Sequence, residues 1–237
     1  MADDHSVSIS IRNFLILSAL LFVPVNSAHS SVHSIFLKGG VMSLLPRSET
    51  VQAAPTIPYV LPSENLTGPA VELGYGYFPE QVNWLGVTLR VGYYSVNGSM
   101  VTGPAFAVTN VTVEPRTTYD VQVIPVKIGP KISLLASDVD SPWEKSHLYL
   151  GTGLGYYSRT QDAETKFIIQ TPNFAWASTG TNELKVKSSS NQSGVSGYIS
   201  AGGAYFLTDE MSLSLDYEYD LFIRGSIVAG AVSFHFK

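Results

Sequence analysis

The segment MSLSLDYEYDL, residues 211–221, alternates apolar and polar residues without interruption. Successive side chains of an extended strand point to opposite sides, so this pattern predicts a β-strand with one apolar and one polar face. The polar face carries three acids, Asp216, Glu218 and Asp220. Which face meets water decides the fold class. The apolar face would be the core of a soluble sheet, but it would be the lipid-facing surface of a membrane barrel.

The composition favours the membrane barrel. Of the 237 residues, 45% are hydrophobic and only 14% are charged, whereas soluble domains carry roughly 25% charged residues. No apolar run approaches the roughly 20 residues that a membrane helix requires, so alternation disperses the apolar residues. The net charge of −5 argues against a nucleic-acid partner. The absence of cysteine excludes disulfides, thiolate metal sites and a cysteine nucleophile.

The beginning of the chain predicts export. Residues 14–25, FLILSALLFVPV, form an apolar run of 12 residues, which is the length of a signal-peptide core and too short to span a bilayer. Small residues follow this run. We therefore predict a signal peptide over residues 1–28, with cleavage near Ala28 or Ser30, and a barrel domain over residues 29–237.

Eight alternating segments follow the predicted signal peptide, and they predict an all-β fold, an eight-stranded antiparallel up-and-down transmembrane β-barrel. Their approximate ranges are 35–45, 69–78, 83–96, 119–134, 147–159, 194–206, 211–221 and 226–236.

The connections between these segments alternate in length. They are short at 79–82, 135–146 and 207–210, and long near 46–68, 97–118 and 160–193. This is the plan of bacterial outer-membrane barrels, with short periplasmic turns and long outer loops. Two of the long connections contain further alternation, which we interpret as strand extensions beyond the membrane. The N-terminus is then expected in the periplasm.

The two faces of the predicted strands differ as a membrane barrel requires. One face is almost entirely aliphatic and aromatic, and a lysine or arginine there would cost about 2–4 kcal/mol at the bilayer midplane. The other is mostly small residues with isolated charges of both signs, which suits the narrow lumen of eight strands. The predicted lumen-lining residues are Lys38, Met42, Leu44, Glu72, Arg90, Tyr94, Lys127, Lys131, Tyr157, Arg159, Asp216, Glu218 and Asp220. The alternative is a soluble sandwich or lipocalin-type barrel with the apolar faces inside.

The lumen itself has two interpretations. In the first, the three acids of the opening segment form a structural network that plugs the lumen, with the partners Arg90, Lys127, Lys131 and Arg159. In the second, the charges line a narrow conduit or a site for a small solute. An apolar throat would then be formed by Met42, Leu44, Tyr94 and Tyr157.

Several segments resemble the OmpW-like family of small bacterial outer-membrane proteins. SIFLKGGVMSLLP (34–46) resembles the first strand of that family, and SGYISAGGAYFLTDEMSLSLDYEYDLF (196–222) its sixth and seventh. VQVIPVKIGPKI (121–132) and LYLGTGLGYY (148–157) resemble its fourth and fifth strands. The broader class of eight-stranded OmpA/OmpX-type and opacity-type barrels is similar as well.

The resemblance implies a barrel that passes or binds small hydrophobic molecules through a narrow lumen, with lateral release into the bilayer. The alternatives are an adhesin or receptor that acts through the long outer loops and a purely structural envelope barrel. The last three strands carry no serine–histidine–acid set on their apolar face, so we expect no enzymatic activity, cofactor or metal. The expected partners are outer-membrane lipid, the barrel-assembly machinery, and small hydrophobic solutes or host-cell ligands.

Overall fold

The computed structural model describes residues 31–47, 50–54, 57–62, 64–79, 84–101, 106–108, 111–134, 146–170, 182–221 and 223–236. The predicted signal peptide lies outside these residues and stays a prediction. In the described part of the chain, no helix is long and apolar enough to cross a membrane.

Eleven β-strands make up the described structure. They are β1 (Val32–Leu44), β2 (Thr50–Ala54), β3 (Ile57–Val60), β4 (Leu66–Phe78), β5 (Leu85–Val101), β6 (Phe106–Val108), β7 (Val111–Ser133), β8 (Ser146–Gln170), β9 (Asn182–Thr208), β10 (Met211–Asp220) and β11 (Gly225–Phe236).

Eight of these strands form a closed ring. β1, β4, β5, β7, β8, β9, β10 and β11 pair in this order as antiparallel neighbours, and β11 pairs back to β1. The predicted eight-stranded up-and-down barrel is confirmed. The hairpin β2–β3 belongs to the first connection, between β1 and β4, and the short strand β6 pairs with the beginning of β7.

The apolar face of the opening segment points outward. On β10, Leu215 is 64% exposed, whereas Glu218 on the opposite face is completely buried at 0%. Val71 and Val91 on β4 and β5 are likewise exposed. This is the orientation of a membrane barrel, whose lipid-facing and lumen-facing residues alternate. The soluble alternative, with the apolar faces inside, is wrong.

Along the four longest strands, the outward face changes from apolar to polar. The change falls between residues 93 and 95 on β5, 122 and 124 on β7, 156 and 158 on β8, and 193 and 195 on β9. We call the apolar part the belt. On β8 it runs over residues 148–156, which matches the 9–11 residues of a tilted membrane strand.

Beyond the belt, the same four strands continue as one paired sheet. We call residues 95–101, 111–122, 158–170 and 182–193 the projecting sheet. The other four strands stop near the upper limit of the belt, where β1 and β10 end and β4 and β11 begin. Only one side of the barrel therefore extends beyond the belt. The strands of the projecting sheet run past the predicted segments, and much of the sequence at 97–118 and 160–193 is strand, as the alternation inside the long connections had indicated. Here water replaces lipid, so outward residues become polar and the sequence resembles a loop.

Candidate functional site

All thirteen predicted lumen-lining residues point into the barrel, and all except Lys131 are buried. Ten of them fall into two groups at different heights. The ionic layer lies at mid-barrel and consists of Lys38, Glu72, Arg90, Lys127, Asp216 and Glu218. Above it, towards the long connections, lie Met42, Leu44, Tyr94 and Tyr157 in an apolar environment.

Glu72 and Glu218 form the centre of the ionic layer. Arg90 Nη1 and Lys127 Nζ each lie 3.2 Å from a Glu72 carboxylate oxygen, and both cations also bind Glu218. Arg90 and Lys127 are directly opposite each other in the β5–β7 pairing, a placement that destabilises a sheet when the charges are alike. The two carboxylates between them offset that repulsion.

Lys38 and Asp216 complete the ionic layer. Lys38 is paired directly with Glu72 across β1 and β4, and its Nζ lies 3.5 Å from both Glu72 Oε2 and Asp216 Oδ2. The layer then contains three cations and three anions. Because a buried charge without a partner costs several kcal/mol, this balance is what allows the charges to fill the lumen.

Two tyrosines hold the cations of the ionic layer in place. The Tyr94 hydroxyl donates to Glu72 and accepts a hydrogen bond from Lys127 Nζ at 2.7 Å. The Arg90 guanidinium carbon lies 4.5 Å from the centre of the Tyr198 ring, a favourable cation–π geometry. The sequence analysis did not select Tyr198. It could have been found from the strand alternation, because Tyr198 lies on the same inward face of β9 as Ser196 and Ser200.

The apolar layer fills the lumen above the charges and continues onto the inner face of the projecting sheet. Its members, all at most 7% exposed, include Met42, Leu44, Leu61, Leu66, Tyr94, Val96, Met100, Tyr119, Val121, Val123, Tyr157, Ala163, Phe167, Ile223 and Ile227. Leu61 comes from the first connection and is 2% exposed. A connection expected to be an outer loop therefore contributes to the packing of the interior.

Hydrogen bonds fix the first connection against the inner face of the projecting sheet. The Tyr119 hydroxyl donates to the Pro62 carbonyl at 2.5 Å. The Gln161 amide makes two bonds of 3.2 Å with the Arg47 backbone, one accepted by Oε1 and one donated by Nε2. Side chains of β7 and β8 thereby bind the backbone of the first connection at Arg47 and Pro62, which lie outside its strands.

The remaining predicted lumen residues lie outside the ionic layer. Asp220 accepts hydrogen bonds from Ser196 Oγ at 2.8 Å and from the Ile223 amide at 3.0 Å, and so holds the turn after β10. Arg159 donates to Gln161 at 2.6 Å in the apolar layer. Lys131 lies nearer the short turns, with its Nζ 3.4 Å from the centre of the Tyr149 ring. The expected network is therefore corrected, because the ionic layer includes Lys38 and Glu72 and does not include these three predicted residues.

One serine and one histidine meet near the short turns. Ser212 Oγ lies 2.8 Å from His235 Nε2. Ser212 is 2% exposed and faces the interior, so a substrate from lipid or water would not reach its hydroxyl. The geometry therefore gives no support for a nucleophilic site at this pair.

The outer face of the projecting sheet carries a row of cations. Arg116, Lys166 and Lys185 lie directly opposite one another across β7, β8 and β9. Arg116 and Lys185 are exposed, and the Lys166 side chain is 41% exposed. Like charges placed directly opposite one another repel, so this row requires compensation by acids or by a bound anion.

Acids lie close to the cationic row. Glu164 Oε1 lies 3.9 Å from Lys166 Nζ, and Glu164 Oε2 lies 3.5 Å from Lys187 Nζ. Nearer the belt, Asp120 and Asp162 form an exposed pair across β7 and β8. The cationic row was not predicted, because the alignment of the three cations depends on strand register, which the sequence pattern does not give.

The geometry can now be compared with known proteins. The outer membrane protein beta-barrel domain family matches residues 16–236. The chain belongs to this family. It is therefore an integral protein of the outer membrane, and the exposed belt contacts outer-membrane lipid. The OmpW-like resemblance is finer than this result and stays a prediction. The comparison with curated protein sequences finds no match.

Solved structures of small outer-membrane barrels are similar over most of the chain. The Yersinia pestis attachment invasion locus protein Ail is 13% identical, covers 88% of this chain and 99% of its own, and gives a TM-score of 0.42. Neisserial surface protein A is 12% identical, with 88% and 100% covered and a TM-score of 0.43. Pseudomonas aeruginosa OprG is 10% identical, with 88% and 98% covered and a TM-score of 0.41.

Proposed function

We propose that the protein binds ligands outside the membrane through its projecting sheet and that the barrel is the anchor. The observation that carries the proposal is the continuation of four paired strands beyond the belt, with a charged and exposed outer face. Lys166 lies ten residues beyond Tyr156 on β8. At roughly 3.3 Å per residue and a tilt of roughly 40°, it stands roughly 25 Å above the belt. The headgroup layer adds only about 5–8 Å on each side.

The packed lumen supports an anchoring role for the barrel. The charged residues of the ionic layer are at most 9% exposed, and Met42 and Leu44 above them are 0% exposed. An eight-stranded barrel has an interior just wide enough for its own side chains. Passage of a solute would require both layers to rearrange, whereas binding at the projecting sheet requires no such change.

The cationic row suggests the chemistry of the ligand. A linear anionic polymer lying across β7, β8 and β9 would contact Arg116, Lys166 and Lys185 together. The acids Asp120 and Asp162, closer to the membrane, would repel the same polymer and so fix its position. Sulfated and phosphorylated polysaccharides carry suitable groups at regular intervals.

Dextran sulfate is a suitable probe for this proposal. Vesicles containing the protein are passed over a dextran sulfate surface at several salt concentrations. Replacing Arg116, Lys166 and Lys185 together by glutamine should raise the apparent Kd about tenfold, if each exposed charge contributes roughly 0.5 kcal/mol. It should also flatten the salt dependence. The control, Asp120→Asn with Asp162→Asn, should bind at least as tightly as the unaltered chain. Unchanged binding in the triple variant would contradict the proposal.

The proposal requires the projecting sheet to face outwards and the short turns to face the periplasm. Because the chain has no cysteine, single cysteines report this orientation directly. Ser189→Cys on the projecting sheet should react with a membrane-impermeant maleimide on intact cells, and Asp209→Cys at a short turn should react only after lysis. Both positions are exposed. The reverse labelling pattern would exclude the orientation.

Binding or passage of small hydrophobic molecules is the second candidate, and the apolar layer favours it. Met42, Leu44, Tyr94 and Tyr157 would contact the solute, as the OmpW-like resemblance implies. Leu61 would have to leave its position, since it occupies this layer. Planar-bilayer recordings with and without dodecyl maltoside, on the unaltered chain and on Leu61→Gly, test the candidate. We expect larger conductance in the variant and block by the detergent, and silence in both chains would count against passage.

A further inference from the structure

A groove interrupts the lipid-facing belt on the outside of β7, β8, β9 and β10. Its volume is about 390 Å³, and its lining residues are Pro130, Ile132, Leu150, Gly151, Thr152, Ile199, Ser200, Ala201 and Tyr217. It lies outside the lumen and away from the projecting sheet. The proposed function makes no use of it.

Small residues create the floor of the groove. Ala201 pairs with Leu150 on one side and with Tyr217 on the other, and Gly151 pairs with Ser200 beside them. Ala201 is therefore a low point between two bulky neighbours. Thr152 is the polar outward residue of the lining, and its hydroxyl donates to the backbone carbonyl of Tyr198 at 3.0 Å. The groove therefore presents an apolar surface.

Pro130 shapes the upper edge of the groove. In the described residues, the β7–β8 pairing passes from Ile128–Leu154 directly to Lys131–Gly151. Proline has no amide hydrogen for the ladder, so it is tolerated where pairing is interrupted. The β7–β8 ladder lacks pairs at this point, and the depression lies beside this gap in a belt of otherwise paired strands.

We propose that this groove binds one acyl chain of a phospholipid in a fixed position. The groove is continuous with the belt, and family membership places the belt in the outer membrane, so hydrocarbon surrounds the groove. A chain lying in it contacts protein on its floor and both sides, whereas a chain on the flat belt contacts protein on one side, and dispersion contacts add up. On β7 and β8 the groove lies near Ser133 and Ser146, at the short-turn end. With the orientation proposed above, this part of the groove lies in the half of the belt that meets the phospholipid leaflet.

Native mass spectrometry of the protein, extracted from outer membranes in mild detergent, tests the assignment. Ala201→Phe fills the groove and should lower the fraction of protein that carries a phospholipid at least tenfold. Gly39→Phe is the matched control. Gly39 also lies outward in the belt, on β1, and a Cβ added there would meet no atom within 4 Å. The control should keep its lipid.

Further arms keep the test decisive. Folding of each variant is checked by its faster migration in unheated gels, and Thr152→Leu replaces Ala201→Phe if that variant does not assemble. Lipid retained by the filled groove, or lost equally from the Gly39→Phe control, would overturn the proposal. The proposal would also be overturned if the bound species were lipopolysaccharide. A dimer of the unaltered protein that Ala201→Phe dissociates would overturn it as well, because a second copy would then occupy the groove. The cysteine labelling tests the orientation separately, so the two failures are distinguishable.

Discussion

The belt and the projecting sheet are parts of the same strands, yet their two faces have opposite polarity. In the belt, leucines and valines point outward and the ionic layer lies inside. In the projecting sheet, Asp162 and Lys166 point outward, whereas Ala163 and Phe167 are buried on the inner face. The direction of each side chain follows the same alternation throughout β8. Only the solvent changes, from lipid to water, and the sequence reverses its polarity at Ser158 in response.

The largest expected effect comes from comparing a carboxylate of the ionic layer with one of the projecting sheet. Glu218→Gln leaves Arg90 and Lys127 short of one counter-charge and should cost about 3–5 kcal/mol of unfolding free energy. Glu164→Gln removes two partly exposed pairs, with Lys166 and Lys187, and should cost less than about 1 kcal/mol. Urea titration of refolded protein in vesicles measures both costs. Similar costs would mean that the ionic layer is solvated.

An arginine placed on the outward face of each region tests whether that face contacts lipid or water. Leu215→Arg places a charge on the outward face of the belt and should cost about 2–4 kcal/mol, with loss of assembled protein. Ser189→Arg places the same charge on the outward face of the projecting sheet and should assemble normally. The measurement is the fraction that migrates as folded barrel in unheated gels. Equal assembly of both variants would show that the belt does not face lipid.

The smallest effect concerns the connection bound to the inner face. Tyr119→Phe removes the hydrogen bond to the Pro62 carbonyl and should cost about 0.5–1.5 kcal/mol. The belt should keep its stability, and proteolysis of the first connection should become several-fold faster. Thr118→Val, on the outward face next to Tyr119, is the control and should leave proteolysis unchanged. Faster cleavage in the control as well would show that the Tyr119 bond does not hold the connection.

The sequence predicted the belt well because the belt obeys a local rule. Period-two alternation with lipid outside identified the eight strands and placed Lys38, Glu72 and Glu218 on the inner face. Alternation could not predict the partners of these residues, because Glu218 binds Arg90 across the lumen and the two are 128 residues apart in the chain. Contacts of that kind depend on the shear and closure of the ring, which alternation does not encode.

The projecting sheet was harder to predict for a different reason. Around Glu114–Asp120, the outward residues are polar and the inward ones are of mixed polarity, so the contrast that marks the belt is weak. Leu61 could not have been assigned to the interior at all, because its segment has no periodicity. Alternation gave the class of the fold, while these features are specific to the chain.

The position of Leu61 has a consequence for the order of events during biogenesis. The apolar layer that contains Leu61 also contains Phe167 of β8, and the backbone of Arg47 is held by Gln161, 114 residues later in the chain. The first connection has no docking surface until the fourth and fifth barrel strands are in place. It therefore stays unpacked while half of the barrel forms, and its packing into the interior becomes a late step of maturation.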